Sequence, residues 1–188
     1  MNEKRNFFTL KLGLKDEAHL KKLLLFLNSN YPIKYDYGAV KNKICYVTIN
    51  SSYFCKKLTE YGIFQGKSLR EVPHYFSDVK LREAYFLGLL DGDGSIFSGG
   101  LSFVGTYSSC KYMKEIMGQY VQYNDNFEYI HLHDKNKSDK LYVYALHRDE
   151  VWPVLYNFYK NKKYTLDRKR ERVFNYYSKF LKKSKGEK

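Results

Sequence analysis

The sequence predicts an α+β fold made by duplication, in which antiparallel hairpins alternate with amphipathic helices. Three observations lead there. Along the 188 residues, stretches with a two-residue apolar period alternate with stretches of helical period. The order strand, helix, hairpin, helix occurs twice. Between the two occurrences lies an apolar helix, Val79–Leu90, that runs into Asp91-Gly92-Asp93-Gly94.

Taken in order, Phe7–Lys15 alternates around Leu10, Leu12 and Leu14, as a half-buried strand does. Asp16 is placed to cap a helix over Glu17–Leu27, whose Leu20, Leu23, Leu24 and Leu27 share a face. Asn28 to Pro32 stops it. Lys34–Val40 and Lys43–Ile49, rich in Tyr, Val and Ile, read as a hairpin turning at Lys41-Asn42. Ser51 or Ser52 caps a short helix over Tyr53–Tyr61 that ends at Gly62, and Phe64–Pro73 is a connector. After the central helix come a strand, Leu101–Thr106, and a helix capped by Ser108 or Ser109 that runs to Val121. Phe127–His133 and Lys140–His147 form a second hairpin. Helices over Glu150–Tyr159 and Leu166–Leu181 follow, the latter with Val173, Phe174, Tyr177 and Leu181 as its apolar stripe.

The duplication pairs Asp16 with Ser109, Leu20 with Met113, Leu23 with Ile116 and Leu24 with Met117. Further on it pairs Lys43 with Lys140, Val47 with Tyr144, Ile49 with Leu146 and Leu58 with Leu155. Residues 1–80 are then an incomplete first repeat and residues 81–188 a complete second one. The first repeat's own copy of the central helix would fall before Met1.

Composition bounds the function. With 33 Lys+Arg against 20 Asp+Glu the formal charge is +13, which favours a polyanionic partner, nucleic acid above all. Cys45, Cys55 and Cys110 lack metal or disulfide spacing and read as buried thiols. No stretch has the length and apolarity of a membrane span, and the N-terminus lacks the apolar core of a signal peptide, so the expectation is a soluble intracellular protein with no membrane partner.

Two aspartates at the C-terminal end of an apolar helix are electrostatically costly, because the macrodipole there is already negative; a cation in the site would offset that cost. An EF-hand loop does not fit: the position of its required glycine holds Ile96, and its terminal glutamate position holds Ser102. A phosphate-cradling glycine loop does not fit either, since such loops precede a helix and this one follows it. A plain helix stop with solvated aspartates remains open on the Asp-Gly content alone.

The whole string is more specific. Phe86–Gly94, FLGLLDGDG, resembles the LAGLIDADG signature of homing endonucleases at every position, and Ser95-Ile96-Phe97 continues it. Gly66-Lys67-Ser68-Leu69 with Val72-Pro73 is similar to the lysine-to-proline segment before that family's second motif. Phe103-Val104-Gly105-Thr106 resembles the strand after it, and Tyr164-Thr165-Leu166-Asp167-Arg168-Lys169 resembles a late block of the family. The resemblance implies αββαββα repeats with pseudo-two-fold symmetry and saddle-shaped antiparallel sheets backed by helices. It also implies a pair of motif helices in contact through small residues, with Ala84, Leu87, Gly88 and Asp91 the expected contact set here. Asp93 is the metal-binding and catalytic carboxylate by motif position, and Asp91 serves the helix end. Mg²⁺, with Mn²⁺ as a substitute, is the implied cofactor. Lys67 matches the family's lysine, which polarises water or screens the transition state; its repeat partner, Tyr164, breaks the symmetry, so Lys169 or the nearby Lys163 is the candidate for that role in the second site, with Lys169 preferred.

The implied activity is site-specific double-strand cleavage of DNA in intron homing, by hydrolysis of phosphodiester bonds. The hairpins would lie in the major groove, where polar and aromatic side chains read base edges. Candidate DNA contacts are Lys11, Lys34, Tyr35, Tyr37, Lys41, Lys43, Tyr46, Thr48, His131, His133, Tyr142 and Tyr144. A slip of one residue turns any of them to the core. His131 and His133 share a strand face but have no third ligand for a metal site. A single motif helix leaves three alternatives: an upstream segment supplies the partner, two chains associate through residues 81–90, or the chain has lost cleavage and is a DNA- or RNA-binding regulator or intron maturase.

Overall fold

The structure, a computed structural model, describes residues 6–37, 43–63, 71–134 and 140–186. Lys41 and Lys67 lie outside the described residues. The chain divides into two compact units, Met1–Lys67 and Ser68–Lys188.

In the first unit, strand β1 (Phe7–Gly13) passes through a short 3-10 turn into helix α1 (Glu17–Phe26). Strands β2 (Lys34–Asp36) and β3 (Ile44–Asn50) follow, then helix α2 (Ser52–Glu60). The antiparallel sheet has the order β1-β3-β2. Its alternation is clean: Cys45, Val47 and Ile49 of β3 are buried against Leu10, Leu12 and the α1 leucines, led by the fully buried Leu20. Of the two capping expectations, Ser51 caps α2 by accepting from Phe54 N at 3.1 Å, whereas the Asp16 side chain makes no capping bond to α1.

The second unit begins its regular structure with α3 (Val79–Asp93), capped by Asp78, whose side chain accepts from Leu81 N. Strands β4 (Gly94–Phe97) and β5 (Gly100–Gly105), helix α4 (Tyr107–Gly118), strands β6 (Ile130–Leu132) and β7 (Tyr142–Leu146), and helices α5 (Val151–Lys160) and α6 (Asp167–Ser184) complete it. This is the αββαββα order with one further helix. The sheet order is β4-β5-β7-β6. The trio β5-β7-β6 repeats the first unit's β1-β3-β2, so the duplication holds in topology as well as in sequence.

Several elements differ from expectation for physical reasons. The central helix continues three residues beyond Leu90, through both aspartates. Strand β4 arises where glycines and an aspartate read as loop, because it pairs antiparallel with β5 from Gly94–Phe103 to Phe97–Gly100. Thr106, not a serine, caps α4: its Oγ1 accepts from Ser109 N at 3.1 Å and donates to Glu71 O at 2.7 Å. On α6 the buried stripe is centred on Lys169 and Val173, with Phe180 packed on the core and Leu181 exposed. All three cysteines are buried and free, and burial pushes the Cys110 thiol up to about 11.

One large core fills the second unit. Phe86, Leu87, Leu89 and Leu90 of α3 meet Ile96, Leu101 and Phe103 of the sheet and Met113, Ile116 and Phe158 of the helices. Aromatic stacking closes α5 on α6, with Tyr156 and Tyr177 rings 4.3 Å apart. Among the described residues no helix is long and apolar enough to cross a membrane.

Candidate active site

The last turn of α3 separates its two carboxylates. Asp91 is 6% exposed, and both its oxygens are engaged: Oδ1 accepts from the Tyr159 hydroxyl at 2.7 Å and Oδ2 from the Leu166 backbone N–H at 2.8 Å. Those bonds tie α3 to α5 and to the segment entering α6. Burial, and then the Asp91 charge, push the Tyr159 hydroxyl far above its ordinary range, so it stays a donor.

Lys169, only 3% exposed, completes this arrangement. Its ammonium donates to Leu90 O at 2.6 Å, Asp91 O at 2.8 Å and Gly94 O at 2.6 Å. An ammonium has three N–H donors, and here three carbonyls at the helix-to-strand junction receive them, Leu90 O also accepting from the Gly94 N–H. A cation at the negative end of the macrodipole is also favourable by charge. The expected catalytic lysine is thereby a buried cap of the motif helix, with its donors turned to backbone and not to solvent.

Gly94 follows directly in extended conformation. Its lack of a side chain is a packing requirement: a Cβ there would lie 2.6 Å from Leu90 O and 3.0 Å from Leu90 Cα. The chain can therefore pass from helix to strand with no intervening loop. Gly92, by contrast, stays helical, and a Cβ there would meet nothing within 4 Å.

Asp93 is exposed, and among the described residues it has no hydrogen-bond or ion-pair partner. No group of three or more His, Cys, Asp or Glu side chains able to hold a metal is found among the described residues. A divalent ion at Asp93 would therefore find fewer than three such side chains among the described residues, which suits Mg²⁺ bound mainly through water and phosphate. The residues expected at a helix pair fall on different sides of α3. Ala84 and Gly88 are exposed, and a Cβ at Gly88 would meet nothing within 4 Å. Leu87, at 2% exposure, and Asp91 are buried inside the second unit and are not on that open face.

The sheets sort the expected DNA contacts by register. In the first unit, Lys11 pairs with Tyr46 and Tyr46 with Lys34, forming one row on the face away from α1. Lys11 Nζ lies 5.7 Å from the Tyr46 ring centre. Thr48 is on the same face, hydrogen-bonded to Thr9 at 3.0 Å. Tyr35 pairs with the buried Cys45 and so belongs to the helix side, where the Glu17 carboxyl is held below its usual range first by Lys21 and then by the Tyr35 hydroxyl. Tyr37 stacks on Tyr35 with centroids 6.2 Å apart, and Lys43 lies over Tyr37 at 6.0 Å.

In the second unit His131 and His133 are exposed, as expected. Tyr142 and Tyr144 are corrections. Tyr144 is 0% exposed and donates to the Tyr123 hydroxyl at 2.8 Å, which in turn donates to Lys114 O at 2.7 Å. Tyr142 packs on the same core with the Tyr107 ring against it. The residues on the other face of β7 are Val143 and Ala145, paired with Val104 and Ser102 of β5. Sequence reasoning did not single out Tyr159, the partner of Asp91, or this Val104–Val143 pair.

Compared by sequence, no protein-family model matches the chain, and no curated protein does. Compared by structure, it is similar to meganuclease I-SmaMI bound to uncleaveable DNA, solved with a TTGT central four and with a TTCT central four. The TM-scores are 0.56 and 0.58 at 13% and 12% identity. Each alignment covers 96% of this chain, and 79% and 80% of the meganuclease chains respectively. At that identity the likeness is one of architecture: the chain has the homing-endonuclease fold of those meganucleases.

Proposed function

We propose that the chain binds double-stranded DNA through its sheet faces and cleaves it at a specific site, with Asp93 as the metal-holding carboxylate. One observation carries this reading. At the end of α3 every charged group but one is committed to structure: Asp91 to Tyr159 and Leu166, Lys169 to three carbonyls, while Asp93 is left exposed and unpartnered. An unpaired carboxylate at the negative end of a helix can accept a cation, and the fold shared with DNA-bound meganucleases supports DNA as the source of phosphate.

When bound, Mg²⁺ or Mn²⁺ would activate water and neutralise phosphate charge. The chain's own residues do the rest. Asp93 holds the ion, and Asp91, Tyr159 and Lys169 fix the helix end that carries it. The open face of α3 at Ala84 and Gly88 would receive a second helix, from another copy or an upstream segment, and with it a second carboxylate.

The test uses duplexes selected from a randomised pool by retention on the protein. Asp93→Asn should abolish cleavage in Mg²⁺ and leave retention intact. Cleavage that survives Asp93→Asn would remove the aspartate from the mechanism.

A second reading is a binding protein on the same fold, acting as a regulator or maturase without cleavage. The commitment of Lys169 to backbone favours it, since that lysine is withheld from chemistry. It predicts sequence-specific retention with no nicking in Mg²⁺ or Mn²⁺.

A further inference from the structure

The duplication makes the two open sheet faces comparable row by row. Pairing Ile49 with Leu146 places the first unit's row Lys11–Tyr46–Lys34 opposite the second unit's row Val104–Val143–His131. The next row toward Ile49 and Leu146 sets Thr9–Thr48 opposite Ser102–Ala145. The backbone frame is the same, yet the chemistry is not. Two lysines flank a tyrosine in one unit; two valines adjoin a histidine in the other.

Along β4, β5 and β7 the next row beside the valine pair is small. Ser95 pairs with Ser102 and Ser102 with Ala145, so this row of β4, β5 and β7 is small and uncharged, with His131 on β6 and Asp93 just before β4 at the edges of the valine row. Phe97 and His147 close its end with ring centroids 5.1 Å apart. Val104 and Val143 are half-buried and stiff at χ1, so they form a fixed apolar surface. Such a surface cannot donate to guanine or accept from cytosine. In the major groove the one apolar group on a base edge is the C5-methyl of thymine. Overall charge of +13 complements a duplex, and the fold is that of proteins solved on DNA.

We infer that the second unit selects its stretch of the target by contact of Val104 and Val143 with thymine methyl groups. The first unit meets the equivalent positions of its own stretch with lysine donors, so the target is asymmetric. This rests on the proposed reading of the sheets as the DNA-binding faces.

The experiment measures binding of the full chain to a pool-selected duplex in which thymines are replaced one at a time by deoxyuridine, which lacks only the methyl. At one or two thymines the replacement should weaken binding about four-fold, the size of one methyl contact. In the double variant Val104→Ala, Val143→Ala, thymine and uridine forms should bind alike at those positions. Val143→Thr, which keeps shape and replaces one methyl by a hydroxyl, should narrow the difference, and thermal melts confirm that each variant is folded. If a duplex is retained but uridine costs nothing at any position, or costs the same in the double variant, the methyl contact is wrong while DNA binding stands. The valine face would then belong to another occupant, such as a second copy. If no duplex is retained from the pool at all, the DNA reading fails and this inference fails with it.

Discussion

Replacing Lys169 by methionine distinguishes a structural lysine from a catalytic one. Methionine keeps an unbranched side chain of similar length and removes every donor, so packing is largely retained while Leu90 O, Asp91 O and Gly94 O lose the ammonium, Leu90 O keeping its bond from the Gly94 N–H. The site is 3% exposed, and water can reach those carbonyls only by opening the helix end. Leaving buried acceptors unmatched costs about 1–3 kcal/mol each, but the three share one donor and can relax together. Removing one partner from a buried charged arrangement costs about 3–5 kcal/mol, and about 4 kcal/mol is the expected loss. With a urea slope of about 2 kcal/mol per molar, the unfolding midpoint should fall by about 2 M. The single tryptophan, Trp152, is buried in α5 with its ring 4.9 Å from Tyr176 of α6, so its fluorescence reports this unit. A variant within about 1 kcal/mol of the parent that has nonetheless lost cleavage would refute the capping role and restore a chemical one.

Gly94→Ala should lower the same midpoint, by about 1–3 kcal/mol, because the new Cβ meets Leu90 backbone atoms that cannot swing away. Gly92→Ala, with open space around it, is the control and should leave stability unchanged or slightly raised. Alkali should destabilise the second unit. Burial raises Tyr112 and Tyr123 to about 12, against about 10 when unfolded, so the native state keeps protons that the unfolded chain releases. Their contribution is complete below about pH 10 and is lost as pH rises to about 12; a urea midpoint by circular dichroism that stays flat across that window would contradict it. On the open face of α3, Gly88→Arg should block association of two copies without disturbing the fold, since nothing lies within 4 Å of the site. Sedimentation of parent and variant as identical species at micromolar concentration would remove that face from any self-association.

Much of the fold is legible because its signals are local. Alternation marks β1 and β3, leucine spacing marks α1, and the repeated order of elements predicts the shared β1-β3-β2 and β5-β7-β6 arrangement. Strand β4 is not legible this way. Gly94 and its flanking aspartate carry loop character, and only the partner strand β5 with the Gly94–Leu90 approach makes an extended conformation there favourable. Tyrosine misleads for a similar reason. Its hydroxyl suggests a surface, but Tyr144 satisfies that hydroxyl on Tyr123, twenty-one residues earlier in the chain, and gives the core its ring. The duplication held the corrective signal, because it pairs Tyr144 with the buried Val47.

The candidate site divides along the same line. That Asp93 and Asp91 differ follows from the motif resemblance; why they differ follows from residues far away in sequence. Asp91 is held by Tyr159 and Leu166, sixty-eight and seventy-five positions later. Lys169 looks, among the many cations of α6, like one more solvated side chain. Helical spacing argues otherwise: Leu166, Lys169 and Val173 recur at three and four residues, which puts the lysine on the buried stripe between two apolar residues. A charge at a core position must be matched nearby, and the end of the helix that carries the aspartates offers the acceptors that match it. The buried lysine and the exposed carboxylate are thus two consequences of one arrangement. Lys169 is committed to the carbonyls at the helix end and Asp91 to Tyr159 and Leu166, while Asp93, two residues on, is exposed.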